Sequence, residues 1–245
     1  MISEITKKLK AYEIDPGVKV VVLKGNGKAF CAGGDVVASY ICMVAGHWSY
    51  AASSYKKQVV LDYIVGTYGK PVVALIHGIV MGGGAGLSMN GALKIVTENT
   101  IINKCFSRKT VEEILSSLES EAGNRAEKWI LEAIKSMKAA SPISLKLSLK
   151  SIREGRTQSL DQCLARDYNI CCHIMRRTVS TDYFEGTRAM LLDKENTPPK
   201  WEPARLELVS DEMVGRYFSR VDEDDWESLQ LPPRSNSVDM MRPKL

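Results

Sequence analysis

The sequence predicts an α/β fold: a strand-and-glycine core over residues 1–102, a helical region over 103–227 and a loose tail over 228–245. Three observations carry this reading. Two short β-branched runs, 18–24 (VKVVVLK) and 72–76 (VVALI), each lead into glycines. Apolar residues before, between and after them recur at helical spacing. From Asn103 onward, helix-start signals follow one another: T-V-E-E at Thr110, Ser141-Pro142, and Ser159 with Gln162.

Taken in order, Ile2, Ile5, Leu9 and Tyr12 form a helical stripe that Asp15-Pro16-Gly17 ends. A strand over 18–24 and a first glycine loop come next. Residues 36–44 and 48–68 read as helices, the second with Tyr55, Val59, Tyr63 and Val65 on one face. The strand 72–76 and a second glycine turn lead to a small-residue segment able to continue as a helix, then to a short strand over 93–97. Thr110 and Glu113 form a capping box ahead of the stripe Val111, Ile114, Leu115 and Leu118. Trp129, Ile130, Ala133, Ile134 and Met137 form another stripe. Ser141-Pro142 supply the cap and first position of a helix that Gly155 stops. Ser159 with Gln162 opens a helix running toward Arg177, and 182–192 and 211–221 supply two more. After Trp226 the tail reads as loose, and the chain has no internal repeat.

The glycines set the chemistry. Gly82, Gly83 and Gly84 follow a strand and precede a helix start, an arrangement that turns backbone N–H groups outward toward an anion or an oxygen becoming one. The loop of Gly25, Gly27, Gly33 and Gly34 has the same character. Glycine suits both because it admits close approach to the backbone and adopts positive φ cheaply. Two such loops can each give one amide to a shared oxygen.

A-F-C-A-G-G-D (29–35) with H-G-I-V-M-G-G-G-A-G-L-S (77–88) resembles the crotonase (enoyl-CoA hydratase/isomerase) superfamily. Within it the likeness is to the plant-type 3-hydroxyisobutyryl-CoA hydrolases. It continues through T-E-N-T (97–100), C-F-S-R-K-T-V-E-E-I (105–114), S-P-I-S-L-K (141–146), F-E-G-T-R-A (184–189), Asp193-Lys194 and P-K-W-E-P (199–203), nearly the whole chain in order. The resemblance implies a ββα spiral core, incomplete here, and an acyl-CoA substrate of valine catabolism. It places the thioester oxygen on the amides of Gly34 and Gly83. Lys28, Ala32, Gly33 and Asp35 would meet the adenosine end of CoA, and Gln58 and Gly82 would line the substrate. CoA arrives as part of the substrate, so no separate cofactor is implied.

The chain departs from that family in its acids. The hydrolases carry a catalytic glutamate in M-P-E-T and an aspartate in F-P-D-V-G shortly after T-E-N-T. Here Ile101-Ile102-Asn103 follow Thr100, and neither motif occurs. The opening N-R-P-x-x-x-N-A-L segment is missing too, and E-Y-M-L-N is replaced by Gln58-Val59-Val60-Leu61-Asp62. An internally truncated chain of weak or no hydrolase activity is therefore expected. Of the carboxylates nearest the loops, Asp35 is expected to cap the next helix, and Asp62 and Glu98 to face solvent. A non-catalytic acyl-CoA binder or interaction protein is the alternative; a hydratase or isomerase ranks below it, because Gly86 stands where hydratases place a glutamate.

Other classes fit less well. With 44% hydrophobic and 25% charged residues, the chain is neither disordered nor fibrous. Residues 1–100 hold 10 basic and 6 acidic side chains, a mild excess that suits the phosphates of CoA but falls short of a nucleic-acid surface. Lys28 in G-N-G-K lacks the following Ser or Thr of a phosphate loop. His47 and His173 have no ligand-spaced partners, so no metal is expected, and His77 reads as structural. Six cysteines without a CxxC pair read as reduced thiols, with Cys171-Cys172 facing a helix core and its flank. Residues 72–93 are uncharged and long enough to span a bilayer, but six glycines there suit a turn better, and no membrane partner is expected. Uncovered apolar faces left by a missing block would favour self-association. M-I-S-E-I-T-K-K-L-K reads as neither signal nor transit peptide. Pro243-Lys244-Leu245 is close to a Ser-Lys-Leu address, so the peroxisome is expected, with cytosol or mitochondrion as alternatives.

Overall fold

The computed structural model describes residues 1–90, 100–124, 127–193, 197–222 and 226–234. Along the first part run α1 (Ile2–Ile14), β1 (Val21–Lys24), β2 (Ala29–Cys31), α2 (Val36–Val44), α3 (Trp48–Gly66), β3 (Val72–Leu75), β4 (Ile79–Val80) and α4 (Gly83–Met89). Then follow α5 (Thr100–Phe106), α6 (Val111–Asn124), α7 (Lys128–Ala139), α8 (Pro142–Gly155), α9 (Leu160–Met175), α10 (Asp182–Thr187), a π-helical turn (Arg188–Leu192), a 3-10 turn (Leu206–Leu208) and α11 (Asp211–Phe218).

The chain forms two units, Met1–Ile95 with Thr157–Arg176 and Val221–Leu245, and Val96–Arg156 with Arg177–Arg220. The first therefore takes in α9, which lies within the region read from sequence as helical. Its core gathers Leu9, Val21, Leu61, Ile64, Val65, Tyr68 and Val72. The axis of this core is α3, whose Ala51, Ala52, Val59, Leu61, Tyr63, Ile64 and Val65 are all buried. Burial on nearly every side, rather than on one stripe, is the mark of a central helix.

The strands form two parallel pairs, β1 with β3 and β2 with β4. The first strand is shorter than 18–24, because Val18 N–H turns back to the Asp15 carbonyl and pairing starts only where Val21 N–H meets Pro71. Val21 and Val72 face the core, whereas Val22 (53% exposed), Val73 (38%) and Leu75 (50%) lie on an open face. Parallel strands ordinarily have both faces covered, and here one apolar face is open. As far as residue 90, the uncharged stretch read as a turn is divided among β3, β4 and α4, and among the described residues no helix is long and apolar enough to cross a membrane.

The tail is not loose throughout. Arg234 forks onto Glu13 with 2.8 and 2.6 Å hydrogen bonds and reaches the Thr67 carbonyl at 3.1 Å. Trp226 stacks on Tyr168 and lies 4.7 Å from Trp48 between ring centroids. The expected strand over 93–97 and the terminal tripeptide fall outside the described residues.

In the second unit, Cys105, Ile114, Leu118 and Ile130 form the core. Thr110 and Glu113 make the predicted capping box, with Thr110 Oγ1 accepting from Glu113 N–H at 3.1 Å. Ser141 caps α8 by accepting from Ser144 N–H, and its hydroxyl donates to Asp182 Oδ2 at 2.5 Å. Asp182 Oδ1 also accepts from Glu202 N–H at 2.9 Å. Ser141→Ala removes a helix cap and a buried partner together, so it is expected to cost about 1–3 kcal/mol, read as a lowered urea midpoint at unchanged slope. The helix expected over 182–192 is α-helical only to Thr187 and continues as the π-helical turn.

Candidate active site

Both glycine loops arise from the same backbone event. Strand β1 leads through Gly25 into β2, and β3 leads through Gly78 into β4; the two paths bend together. At the bend Phe30 N–H donates to the His77 carbonyl at 2.9 Å, and His77 Nε2 lies 3.1 Å from the Gly27 carbonyl. His77 thus ties the loops together, the structural role expected of it. Beyond the bend, Met81 N–H donates to the Cys31 carbonyl at 2.9 Å. That bond brings residues 31–34 alongside residues 81–84.

The fit between the turns depends on missing side chains. Gly33 and Gly82 both have positive φ, 98° and 53°. A Cβ on Gly82 would lie 3.5 Å from the Gly33 Cα, so a single methyl carbon would fill the space between the two turns. Asp35 caps α2 as expected, its Oδ1 accepting from Ala38 N–H at 2.8 Å. In the other turn the amides of Gly84, Ala85 and Gly86 are taken by the Met81 and Gly82 carbonyls. The N–H groups of Gly34 and Gly83 make no hydrogen bond among the described residues. Lys28, Ala32, Gly34, Asp35 and Gly82 are exposed, and Gly33, Gly83 and Gln58 are half-buried. Part of the basic excess lies elsewhere, where Lys7, Lys10, Lys56 and Lys57 line a 580 Å³ groove between α1 and α3.

The expectation for Asp62 is overturned. It is buried at 8% exposure, because α3 is central and leaves no solvent side at this position. Its Oδ1 accepts from Gln58 Nε2 at 2.9 Å, and the same amide donates to the Gly83 carbonyl at 3.2 Å. Burial pushes its carboxyl up to about 7, against which the Gln58 hydrogen bond works only in part. A Cβ on Gly83 would meet Gln58, and a Cβ on Gly86 would lie 3.0 Å from Asp62 Oδ2. The pair at 58 and 62 on α3 therefore runs along the pair at 83 and 86 on α4. The sequence held a signal for this: polar residues at helical i,i+4 spacing and glycines at i,i+3, each marking one side of a close helix crossing.

Other candidates are inert. Burial pushes the thiols of Cys171 and Cys172 up to about 12 and about 11, away from the thiolate form that reacts. All six cysteines are free thiols. Among the described residues no three His, Cys, Asp or Glu gather as a metal site. Glu98 lies outside the described residues.

A central helix beside two kinked parallel strand pairs, with paired glycine turns, defines a class. The enoyl-CoA hydratase/isomerase family profile matches residues 1–103 and 100–218, and the chain belongs to that family. A carnitinyl-CoA dehydratase from Mycobacterium thermoresistibile shares the fold, with a TM-score of 0.76 at 23% identity over 90% of this chain and 89% of that one. More particularly, the chain is 36% identical to 3-hydroxyisobutyryl-CoA hydrolase 1 of Arabidopsis thaliana, over 96% of its own length and 88% of the relative's. It is thus a 3-hydroxyisobutyryl-CoA hydrolase-like member. It is also 29% identical to the small ribosomal subunit protein mS47 of the same plant, over 95% of its own length and 81% of the relative's. The hydrolase alignment runs over 336 positions and this chain has 245 residues, so more than a quarter of that span has no counterpart here. The two profile segments meet at residues 100–103, the junction where the sequence placed the missing acidic block.

Proposed function

We propose that this chain binds acyl-CoA thioesters and hydrolyses 3-hydroxyisobutyryl-CoA in valine catabolism, at a rate well below that of relatives carrying the M-P-E-T and F-P-D-V-G acids. The observation that carries the reading is the pair of glycine turns set side by side by the Met81–Cys31 hydrogen bond, with the Gly34 and Gly83 amides uncommitted. Two such donors hold the thioester carbonyl oxygen and stabilise the charge it gains when water attacks. Lys28, Ala32, Gly33 and Asp35 form the loop offered to CoA, with Gln58 and Gly82 beside the acyl group.

The test is hydrolysis of 3-hydroxyisobutyryl-CoA by the purified chain, followed as free thiol, with Gly83→Pro alongside. Position 83 is the first of α4, where proline suits the helix backbone and removes the amide hydrogen, while its ring also displaces the Gln58 side chain. The variant is expected to lose about 10²–10³-fold in kcat, the usual consequence of deleting one such donor. A rate equal to that of a full-length relative would refute the impairment, and absence of saturable acyl-CoA binding in calorimetry would refute the whole reading. The second reading, a non-catalytic binder or interaction protein, is favoured by one observation, the likeness to mS47, named as a ribosomal subunit protein. It expects binding without turnover.

A further inference from the structure

We propose that Asp62 is the proton-transfer residue of this site, delivering from α3 a carboxyl group that α4 itself lacks. The inference rests on the acyl-CoA reading above and names the group that makes hydrolysis possible in a chain without the acids of its relatives.

The geometry assigns the two carboxyl oxygens different tasks. Oδ1 is held by Gln58, whose amide also grips the Gly83 carbonyl, so the carboxyl is fixed relative to the residue that offers its N–H to the substrate. Oδ2 makes no hydrogen bond among the described residues and is aimed at the bare Cα of Gly86, 3.0 Å from where a Cβ would stand. Residues 83 and 86 are neighbours one turn apart on α4, about 5–6 Å between Cβ positions. A thioester whose oxygen sits on the Gly83 amide would thus lie one helical turn from Gly86, the residue that Asp62 Oδ2 faces.

The chemistry closes on that arrangement. Oδ2 of the carboxylate takes a proton from water as the water oxygen bonds to the carbonyl carbon, and the C=O electron pair moves onto the oxygen held by the two amides. When the C=O bond re-forms, the C–S bond breaks and its pair leaves with sulfur. The Asp62 carboxyl then returns its proton to the CoA thiolate, giving a free carboxylic acid, CoA thiol and the starting carboxylate. Such a group works best when it titrates near the operating pH, and burial moves Asp62 to about 7. No charged side chain contributes to that shift among the described residues. Tyr55, two turns back on α3, couples to Asp62 and is held protonated by burial, with Asp167, Cys171 and Cys172 of α9 next to its phenol. Helix α4 carries no titratable residue.

The experiment compares the wild-type chain with Asp62→Asn and Asp62→Glu, measuring hydrolysis of 3-hydroxyisobutyryl-CoA from pH 5 to 9 and CoA binding by calorimetry. Asp62→Asn is expected to lower kcat/KM about 10²-fold or more with CoA affinity unchanged, and to abolish a rising pH limb centred near neutrality. Asp62→Glu keeps a carboxyl and is expected to recover part of the rate with the limb displaced. Wild-type hydrolysis that Asp62→Asn leaves intact overturns the assignment while the acyl-CoA reading stands. CoA binding with no wild-type turnover at any pH also overturns it. Loss of CoA binding in the wild-type chain removes the underlying reading instead.

Discussion

Asp62→Asn is expected to stabilise the first unit at pH 8 and to leave it unchanged at pH 3.5. The reason is the burial that raises the carboxyl from 3.8 to about 7. Between those values the folded chain holds a proton that the unfolded chain has released, so the wild-type loses stability as pH rises from about 4 to 7. Below the unfolded value both states are protonated and the penalty vanishes; above the folded value it is complete. Three units at about 1.4 kcal/mol each put the full penalty on the order of 4 kcal/mol. Asparagine keeps the acceptor for Gln58 Nε2 and has no charge to desolvate, so it recovers most of this. Guanidinium titrations at several pH values should show the wild-type curve falling toward neutrality and the variant curve flat across that window. A variant that parallels the wild-type would mean that the carboxyl is not desolvated as its position requires. A group that costs the fold stability at working pH, yet stands beside a ligand-binding turn, fits the usual exchange of stability for function.

Much of this fold was legible from residue patterns, and the misses have physical causes. The helices opened by Thr110, Ser141 and Ser159 appear where their caps predicted, because a cap is a local hydrogen bond that the sequence encodes directly. Strands β2 and β4, three and two residues long, were invisible: such pieces carry no period, and their pairing is set by the kinks at Gly25 and Gly78. The likeness in the glycine motifs pointed to Gly34 and Gly83, but not to the Met81–Cys31 hydrogen bond that sets the loops side by side. Asp62 was misplaced because a polar residue on a helix is ordinarily assigned to water. Only the packing of α3 against α1, α2, α4 and α9 shows that this helix has no wet side there. Arg234 was missed for a related reason, since its partners Glu13 and Thr67 lie far back in the sequence.

Gly84→Ala should strongly disturb the packing of α4 on β2. A Cβ at position 84 would stand 2.3 Å from the Cys31 Cβ, 2.7 Å from its Sγ and 3.0 Å from its carbonyl oxygen. Carbon atoms in contact sit about 3.5–4.0 Å apart, so one element has to move by more than an ångström. Cys31 cannot yield alone, because its carbonyl accepts from Met81 N–H at 2.9 Å and β2 is paired with β4. Alanine favours a helix over glycine by up to about 1 kcal/mol, but overpacking costs typically 1–3 kcal/mol and occasionally more. The steric term wins, and a fall in Tm of several degrees is expected at about 2–4 °C per kcal/mol for a chain of this size. Forcing α4 away from β2 also separates the two turns, so CoA binding should fall with stability. Gly34→Ala is the informative contrast: a Cβ there meets nothing within 4 Å, so Tm should barely move. Cys31→Gly placed on Gly84→Ala removes the two struck side-chain atoms and should restore part of both Tm and binding, a coupling that independent sites would not show. Strict additivity in that cycle would mean the turns are not packed through these two residues, and the shared oxygen site would lose its structural basis.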